Sequence, residues 1–358
     1  MSRKNSTPLG ADATSIWLLL LIFSASVSDS IGEDLLGVCY GELGQDLPPI
    51  STTIKLLKEL HADAVRLYDA NPSVLTALRG TGIGVIVSVL DSELQDFAQN
   101  PTTAVLWVQK YVSPFYPSTR ITYIAVGNEI LSPGTVDEYG PHLVPAMWNL
   151  YHALAGRRLQ DHIKVVAPVS GDILGTSWPP SKGAFSQLNY IHPLLRFLEY
   201  TKSKFFINVY PYYAHRMNPV QVPLDYAVFL KTEPEFKDPI TGLPYYNLFD
   251  AMIDATYSAM LDIGITKVGV AVGETGWPTA GGYAASARTA KLYIRNLIQH
   301  VQRGGTPNRP KERVPVFLFS LYNENEKIGP DTEKNWGIFY PNATKVYDVD
   351  LDPVTSDL

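Results

Sequence analysis

The sequence is almost without cysteine. Cys39 is the only one in 358 residues, so no disulfide can form within the chain. Stability must come from a large apolar core, which this length can bury. Cys39 itself lies inside an apolar run and reads as a buried, inert thiol. Histidine is scarce too: the seven residues are scattered, with no H-x-x-x-H or H-E-x-x-H pair, so neither a metal site nor a cofactor is expected. No block of Lys and Arg interrupts a net charge of −6, which argues against a nucleic-acid partner and disfavours an anionic polymer as ligand. The nucleophile elbow G-x-S-x-G is missing. The stretch GVCYGELG at the first apolar run lacks the G-x-G-x-x-G spacing of a dinucleotide fold. Finally, no apolar stretch approaches the roughly 20 residues that a membrane-spanning helix needs.

The chain opens on a targeting pattern. Arg3 and Lys4 are followed by the apolar core Ile16–Phe23 and by the small residues Ser24, Ala25 and Ser26, the order of a secretory signal. The expected division is a signal segment over residues 1–32, one folded domain over 33–350 and a polar tail over 351–358. One sequon of the mature chain, Asn342-Ala343-Thr344, would carry a glycan at Asn342 in a secreted protein. A monomer outside the cell is the expectation.

Eight short apolar runs follow one another: Leu35–Tyr40, Ala64–Leu67, Ile83–Val89, Ile121–Val126, Val165–Val169, Phe205–Tyr210, Val268–Val272 and Val316–Leu321. Most are continuously apolar rather than alternating, as parallel strands covered on both faces must be. Helical patterns lie between them. Asn71-Pro72 offers a cap and a first-turn proline. Ala290, Ile294, Leu297, Ile298 and Val301 form a stripe that stops at Gly304-Gly305. Leu143–Leu159 and Leu248–Leu261 read as further helices. Eight strand–helix units of about 36 residues predict a single (β/α)8 barrel. Pro211–Tyr246 is the longest insertion, expected to form a small subdomain after the sixth strand.

In such a barrel the chemistry collects where strands end at their C-terminal edge. The polar residues there are Tyr40, Arg66, Tyr68-Asp69, Asp91, Asn128-Glu129, Ser170, Asn208 and Tyr210, Glu274, and Asn323-Glu324. Two glutamates end the fourth and seventh runs on glycine-led turns, Gly127-Asn128-Glu129 and Gly273-Glu274. These runs lie on opposite sides of an eight-strand ring, so the carboxylates would converge across its mouth. A facing carboxyl pair is what glycoside hydrolysis needs, one group to give a proton and one to attack or to activate water.

At this point the chain resembles a known family. LGVCYGELGQDLPP (36–49), VRLYDA (65–70), YIAVGNEI (123–130), INVYPYY (207–213), VGETGWPT (272–279) and YNENEKIGPDTEKNWGIFYP (322–341) are similar to blocks of the plant endo-β-1,3-glucanases, glycoside hydrolase family 17. The resemblance implies a retaining mechanism with Glu129 as acid/base and Glu274 as nucleophile. It implies that the like charge of Glu274 keeps Glu129 protonated, and that Asn128 meets the sugar hydroxyl beside the reacting carbon. Tyr40, Tyr210 and Trp277 would contact sugars and orient the nucleophile. Arg66 would hold Glu274 ionised, or else form a structural ion pair. Glu324 and Lys327, with Glu333, would line the sugar groove. Tyr212, Tyr213, Phe319, Tyr322 and Phe339 would stack on sugar faces or pack in the core. Asn323 and Glu326 stand where aspartate and glutamine are common in the family, and Glu42 where glutamine is usual.

The implied substrate is a β-1,3-glucan of callose, laminarin or fungal-wall type, met in the plant cell wall. Two other readings stay open: hydrolysis of mixed-linkage β-1,3-1,4-glucan on the same fold, and a catalytically silent glucan-binding protein. Binding alone needs neither a proton donor nor a nucleophile, which weighs against the last.

Overall fold

A computed structural model describes residues 36–352. The expected signal segment and most of the expected tail lie outside the described residues. Nine parallel strands carry the fold: β1 Leu36–Tyr40, β2 Ala64–Leu67, β3 Gly84–Val89, β4 Arg120–Val126, β5 Lys164–Val166, β6 Val169–Ser170, β7 Phe205–Asn208, β8 Val270–Thr275 and β9 Val316–Leu318. Their hydrogen-bonded order is β5-β4-β3-β2-β1-β9-β8-β7-β6.

The two ends of that order are consecutive in the chain, and this closes the ring. β5 pairs with β4 (Ala125 opposite Val166), while β6 pairs with β7 (Ser170 opposite Asn208). Between them stand Ala167 and Pro168. Proline has no N–H to give to a ladder, so the expected single run Val165–Val169 is cut in two, each half bonded to a different neighbour. The Pro168 carbonyl, left out of the ladder, accepts the backbone N–H of Glu129 at 2.9 Å. The break that splits the strand thus also fixes the residue after β4.

Every residue of β1, β2 and β3 is buried, as is all of β4 beyond Arg120. This is why these runs read as continuously apolar: helices cover the outside and side chains fill the inside. Inside, Tyr123 meets Phe206 with ring centres 5.1 Å apart, and Phe206 meets Phe317 at 6.3 Å. The helical stripe before β9 is the buried face of helix Ala287–Arg303, which Ser286 caps through the N–H of Thr289 at 3.0 Å. Asn71 caps helix Pro72–Ala77 in the expected way, accepting from the N–H of Ser73.

Several boundaries differ from the sequence reading, and three of them matter most. Helix Val136–Ala155 starts earlier than Leu143, because Pro141 and Pro145 lie inside it and mask its first turns. β8 runs on to Thr275, past the expected end at Val272, with irregular register against both neighbours. Glu274 is therefore part of the strand, opposite Asn208 of β7. Leu351 is buried, and its N–H reaches the Leu60 carbonyl at 3.0 Å, so the packed body continues past 350.

Within the insertion after β7 lie helices Pro211–Met217 and Leu224–Ala227 and a small antiparallel pair, Phe236–Lys237 with Pro244–Tyr245. Trp178, on the segment after β6, packs on Phe236 with ring centres 4.0 Å apart. These elements belong to the same compact unit as the barrel. No helix of the described residues is long and apolar enough to cross a membrane.

Gly276 follows β8 where the chain crosses against the segment after β9. A Cβ there would sit 2.2 Å from the Phe319 carbonyl oxygen, backbone against which nothing can rotate away. Gly276→Ala should cost about 1–3 kcal/mol and lower Tm by several degrees in a thermal melt; an unchanged Tm would mean that this approach is looser than described.

Candidate active site

A cleft of about 610 Å³ opens at the C-terminal edge of the strands and is lined by Asn128, Glu129, Tyr210, Glu274, Glu324 and Lys327, all expected there. Arg66, Tyr40 and Trp277 are not among its lining residues.

Glu274 stands on β8 and is buried. Tyr68 Oη donates to its Oε1 at 2.8 Å, Tyr210 Oη donates to its Oε2 at 2.7 Å, and Arg66 Nη1 lies 3.1 Å from Oε1. Two hydroxyl donors and a neighbouring cation suit the carboxylate, which only accepts. The donors come from strand periodicity. Arg66 and Tyr68 are two residues apart at the end of β2, and Asn208 and Tyr210 two apart at the end of β7, so each pair shares a face. Burial pushes the hydroxyls of Tyr68 and Tyr210 well above the ordinary tyrosine range, which keeps both as donors.

Glu129 is half-buried and held differently. Its φ is +57° and that of Gly127 is +66°, a sharp turn that swings the side chain from the end of β4 over the ring. A non-glycine residue in this region is strained and persists only where its surroundings fix it. Here the fixing contacts are the Pro168 carbonyl on its own N–H, the Val89 carbonyl on the N–H of Gly127 at 3.1 Å, and Asp91 Oδ1 on the N–H of Asn128 at 2.9 Å. One side-chain donor reaches the carboxyl: Asn208 Nδ2, 2.8 Å from Oε1. Burial, then the charge of Glu274, push Glu129 up to about 7, with the Asn208 bond and Arg66 opposing. The like charge named in the sequence reading is thus the second cause, and desolvation the first.

Arg66 lies beneath both glutamates, completely buried. Besides its ion pair with Glu274, it donates hydrogen bonds to the Gly273 carbonyl at 2.8 Å, to Asn128 Oδ1 at 2.7 Å and to Asn208 Oδ1 at 3.4 Å. Asn128 Oδ1 is occupied from below, so the amide Nδ2 is the group it can offer to a ligand.

At the rim, Glu324 accepts the N–H of Leu43 at 2.9 Å and lies 3.7 Å from Lys327. Lys327 Nζ in turn lies 4.1 Å from the ring centre of Phe319. Glu333 accepts from Tyr213 Oη at 2.9 Å, and both line the cleft.

Two expected sugar contacts are elsewhere. Trp277 is fully buried; its Nε1 donates to the Ala284 carbonyl at 2.9 Å and its ring packs 5.2 Å from that of Tyr212. Tyr40 is buried beside Tyr322, and its hydroxyl donates to Glu42 Oε1 at 3.3 Å. Of the aromatics expected to stack or to pack, Tyr213 and Phe319 line the cleft, whereas Tyr212, Tyr322 and Phe339 are core residues. The sequence reading missed Trp336, which lines the cleft although it sits in a quoted block. It gave no role to Tyr68 or Asn208, although both stand at strand ends and within quoted blocks. Among the described residues no group of His, Cys, Asp and Glu is arranged to hold a metal ion.

An eight-position parallel barrel with two carboxyl groups in unlike environments at the strand ends is the machinery of a glycoside hydrolase. The chain belongs to glycosyl hydrolases family 17, whose model matches residues 36–351. A glucan endo-1,3-β-glucosidase of Pisum sativum is 42% identical over 92% of this chain and 88% of that protein. Among solved structures, a β-1,3-glucanase and allergen of Cryptomeria japonica pollen superposes with a TM-score of 0.86 at 40% identity, covering 89% of this chain and all of that one. A structure from a study of two plant β-glucan endohydrolases with distinct substrate specificities superposes at 0.82 with 38% identity, covering 88% and 100%.

Removing the guanidinium would leave Glu274 buried without its cation. Arg66→Met should lower unfolding stability in urea by about 3–5 kcal/mol; a variant as stable as the wild type would contradict the placement of Arg66 as the counter-charge of the cleft floor.

Proposed function

We propose that the protein hydrolyses internal β-1,3-glucosidic bonds of glucans with retention of configuration, Glu274 acting as nucleophile and Glu129 as acid/base. One observation carries the assignment of roles: the two carboxyl groups are held unequally. Glu274 takes two tyrosine hydroxyl donors and an ion pair with a guanidinium, whereas Glu129 takes a single amide and is pushed up to about 7. Two carboxyls in environments that separate them so clearly divide into acid and base. The linkage is inferred from the relatives described above.

In the first step a Glu274 oxygen attacks the anomeric carbon as the bond to the leaving sugar oxygen breaks and Glu129 gives that oxygen its proton. This leaves a glycosyl ester on Glu274. In the second step Glu129, now a carboxylate, takes a proton from water whose oxygen attacks the anomeric carbon. That expels Glu274 and restores both groups. The Asn128 amide donates to the hydroxyl beside the reacting carbon. Tyr213, Phe319 and Trp336 offer aromatic surface along the cleft, and Glu324 and Lys327 polar contacts at its rim.

The choice between β-1,3 and mixed-linkage glucan belongs to the cleft lining, since related plant endohydrolases of distinct specificity share this fold. Parallel assays on linear β-1,3-glucan and mixed-linkage glucan decide it. Secretion of a monomer into the cell wall is part of the same proposal. It is supported by the N-terminal pattern and by the exposure of Asn342, where a glycan would sit.

Glu129→Gln and Glu274→Gln should each release reducing ends from linear β-1,3-glucan at less than about one-hundredth of the wild-type rate. The wild-type kcat/KM should fall as pH rises through about 7, where the free enzyme loses the acid proton of Glu129. Equal rates for all three proteins would remove the assigned pair. No release even by the wild type would favour a glucan-binding protein.

A further inference from the structure

The side-chain amide of Asn208 has a fixed direction. Arg66 is donor-only, so the Asn208 oxygen must face it, and Nη1 lies 3.4 Å from Oδ1. The nitrogen is thereby turned toward the cleft. It donates to Glu129 Oε1 at 2.8 Å and toward Asn128 Oδ1 at 3.3 Å. The reversed amide would place N–H against the guanidinium and oxygen against Glu129. Asn208 is itself 2% exposed and stands opposite Glu274 on the neighbouring strand, so it has little freedom to turn.

This direction has a chemical consequence for Glu129. An oxygen that already faces an N–H cannot carry the acid proton in the same direction. With Oε1 occupied, the proton is left to Oε2. The geometry points to Asn208 as a positioning residue that confines the acid proton of Glu129 to Oε2, the oxygen free to meet the leaving group. The inference rests on the acid role proposed above for Glu129 and adds to it the means by which the proton is aimed.

The groups facing the Glu129 carboxyl are few. Glu274 comes from β8, Arg66 from β2 and Asp172 from the turn after β6, while Tyr210 and Tyr213 follow β7. Among its side-chain partners only Asn208 bonds it directly. The Asn208 bond favours the ionised carboxyl, so its loss raises the pH at which Glu129 gives up its proton.

The test compares kcat/KM of wild type, Asn208→Ala, the similarly shaped but apolar Asn208→Leu and Glu129→Gln on laminarin and on 2,4-dinitrophenyl β-laminaribioside, whose leaving group departs without a proton. Each Asn208 variant should lose on the order of 10–100-fold on laminarin and much less on the aryl glycoside. In Asn208→Ala the basic limb on laminarin should move to higher pH. Should the alanine variant fail to melt cooperatively, the leucine variant, which keeps the approximate volume and removes the donor without adding a charge, carries the comparison. Equal losses on both substrates with an unmoved basic limb would overturn the role of Asn208, provided that Glu129→Gln still spares the aryl glycoside. If Glu129→Gln also loses equally on both, the acid role itself is wrong.

Discussion

Arg66 is the constraint on which the cleft depends. A guanidinium taken fully out of water costs several kcal/mol unless it is paired; the partners of Arg66 are Glu274, Asn128, Asn208 and the Gly273 carbonyl, all met by its two terminal nitrogens, while its buried Nε has no hydrogen-bond partner. These come from β8, β7 and the turn after β4. One cation therefore fixes residues from three separated stretches of chain and orients both asparagine amides. It also limits the charge of the floor. With one guanidinium and two carboxyls, only Glu274 has a cation against it. Glu129 is pushed by burial and by Glu274 toward its neutral form. On the proposed assignment, acid and nucleophile are distinguished by the presence of one cation and its position.

The barrel also supports this arrangement through its backbone. Pro168 breaks the fifth strand position, and its carbonyl then holds the N–H of Glu129. Gly127 and Glu129 take positive φ, which turns the chain over the ring. The irregular register of β8 sets Glu274 within the strand and opposite Asn208. A carboxyl carried on a strand is held more rigidly than one on a loop. The thiol of Cys39 lies under the same floor, where burial pushes it up to about 12 and keeps it inert.

How much of this was legible in the sequence follows from what each residue obeys. Strands covered on both faces leave continuous apolar runs, so all eight positions and the barrel could be read from the chain. The glutamates could be found because strand ends carry polar residues at a known edge of the barrel. What failed to show depends on tertiary approach. Pro168 was visible inside the run Val165–Val169 as a residue that cannot continue a ladder, but that each half would pair with a different neighbour was not. A register irregularity leaves no pattern, so Glu274 read as lying beyond its strand. Trp277 and Trp336 stand in equally suggestive blocks. Which ring faces the cleft is decided by how the chain after β8 packs on the chain after β9, and nothing local encodes it. Asn208 was visible as a strand-end residue, but its task depends on Arg66, more than a hundred residues away in sequence and adjacent only in the fold.

The central claim is that Glu274 forms the covalent bond and Glu129 moves the proton. A 2-deoxy-2-fluoro β-laminaribiosyl fluoride slows both steps and lets the glycosyl-enzyme accumulate. Peptide mapping by mass spectrometry then locates the sugar. The account predicts one sugar adduct on the peptide carrying Glu274. An adduct on the peptide carrying Glu129, or turnover with inversion and no adduct at all, would contradict it.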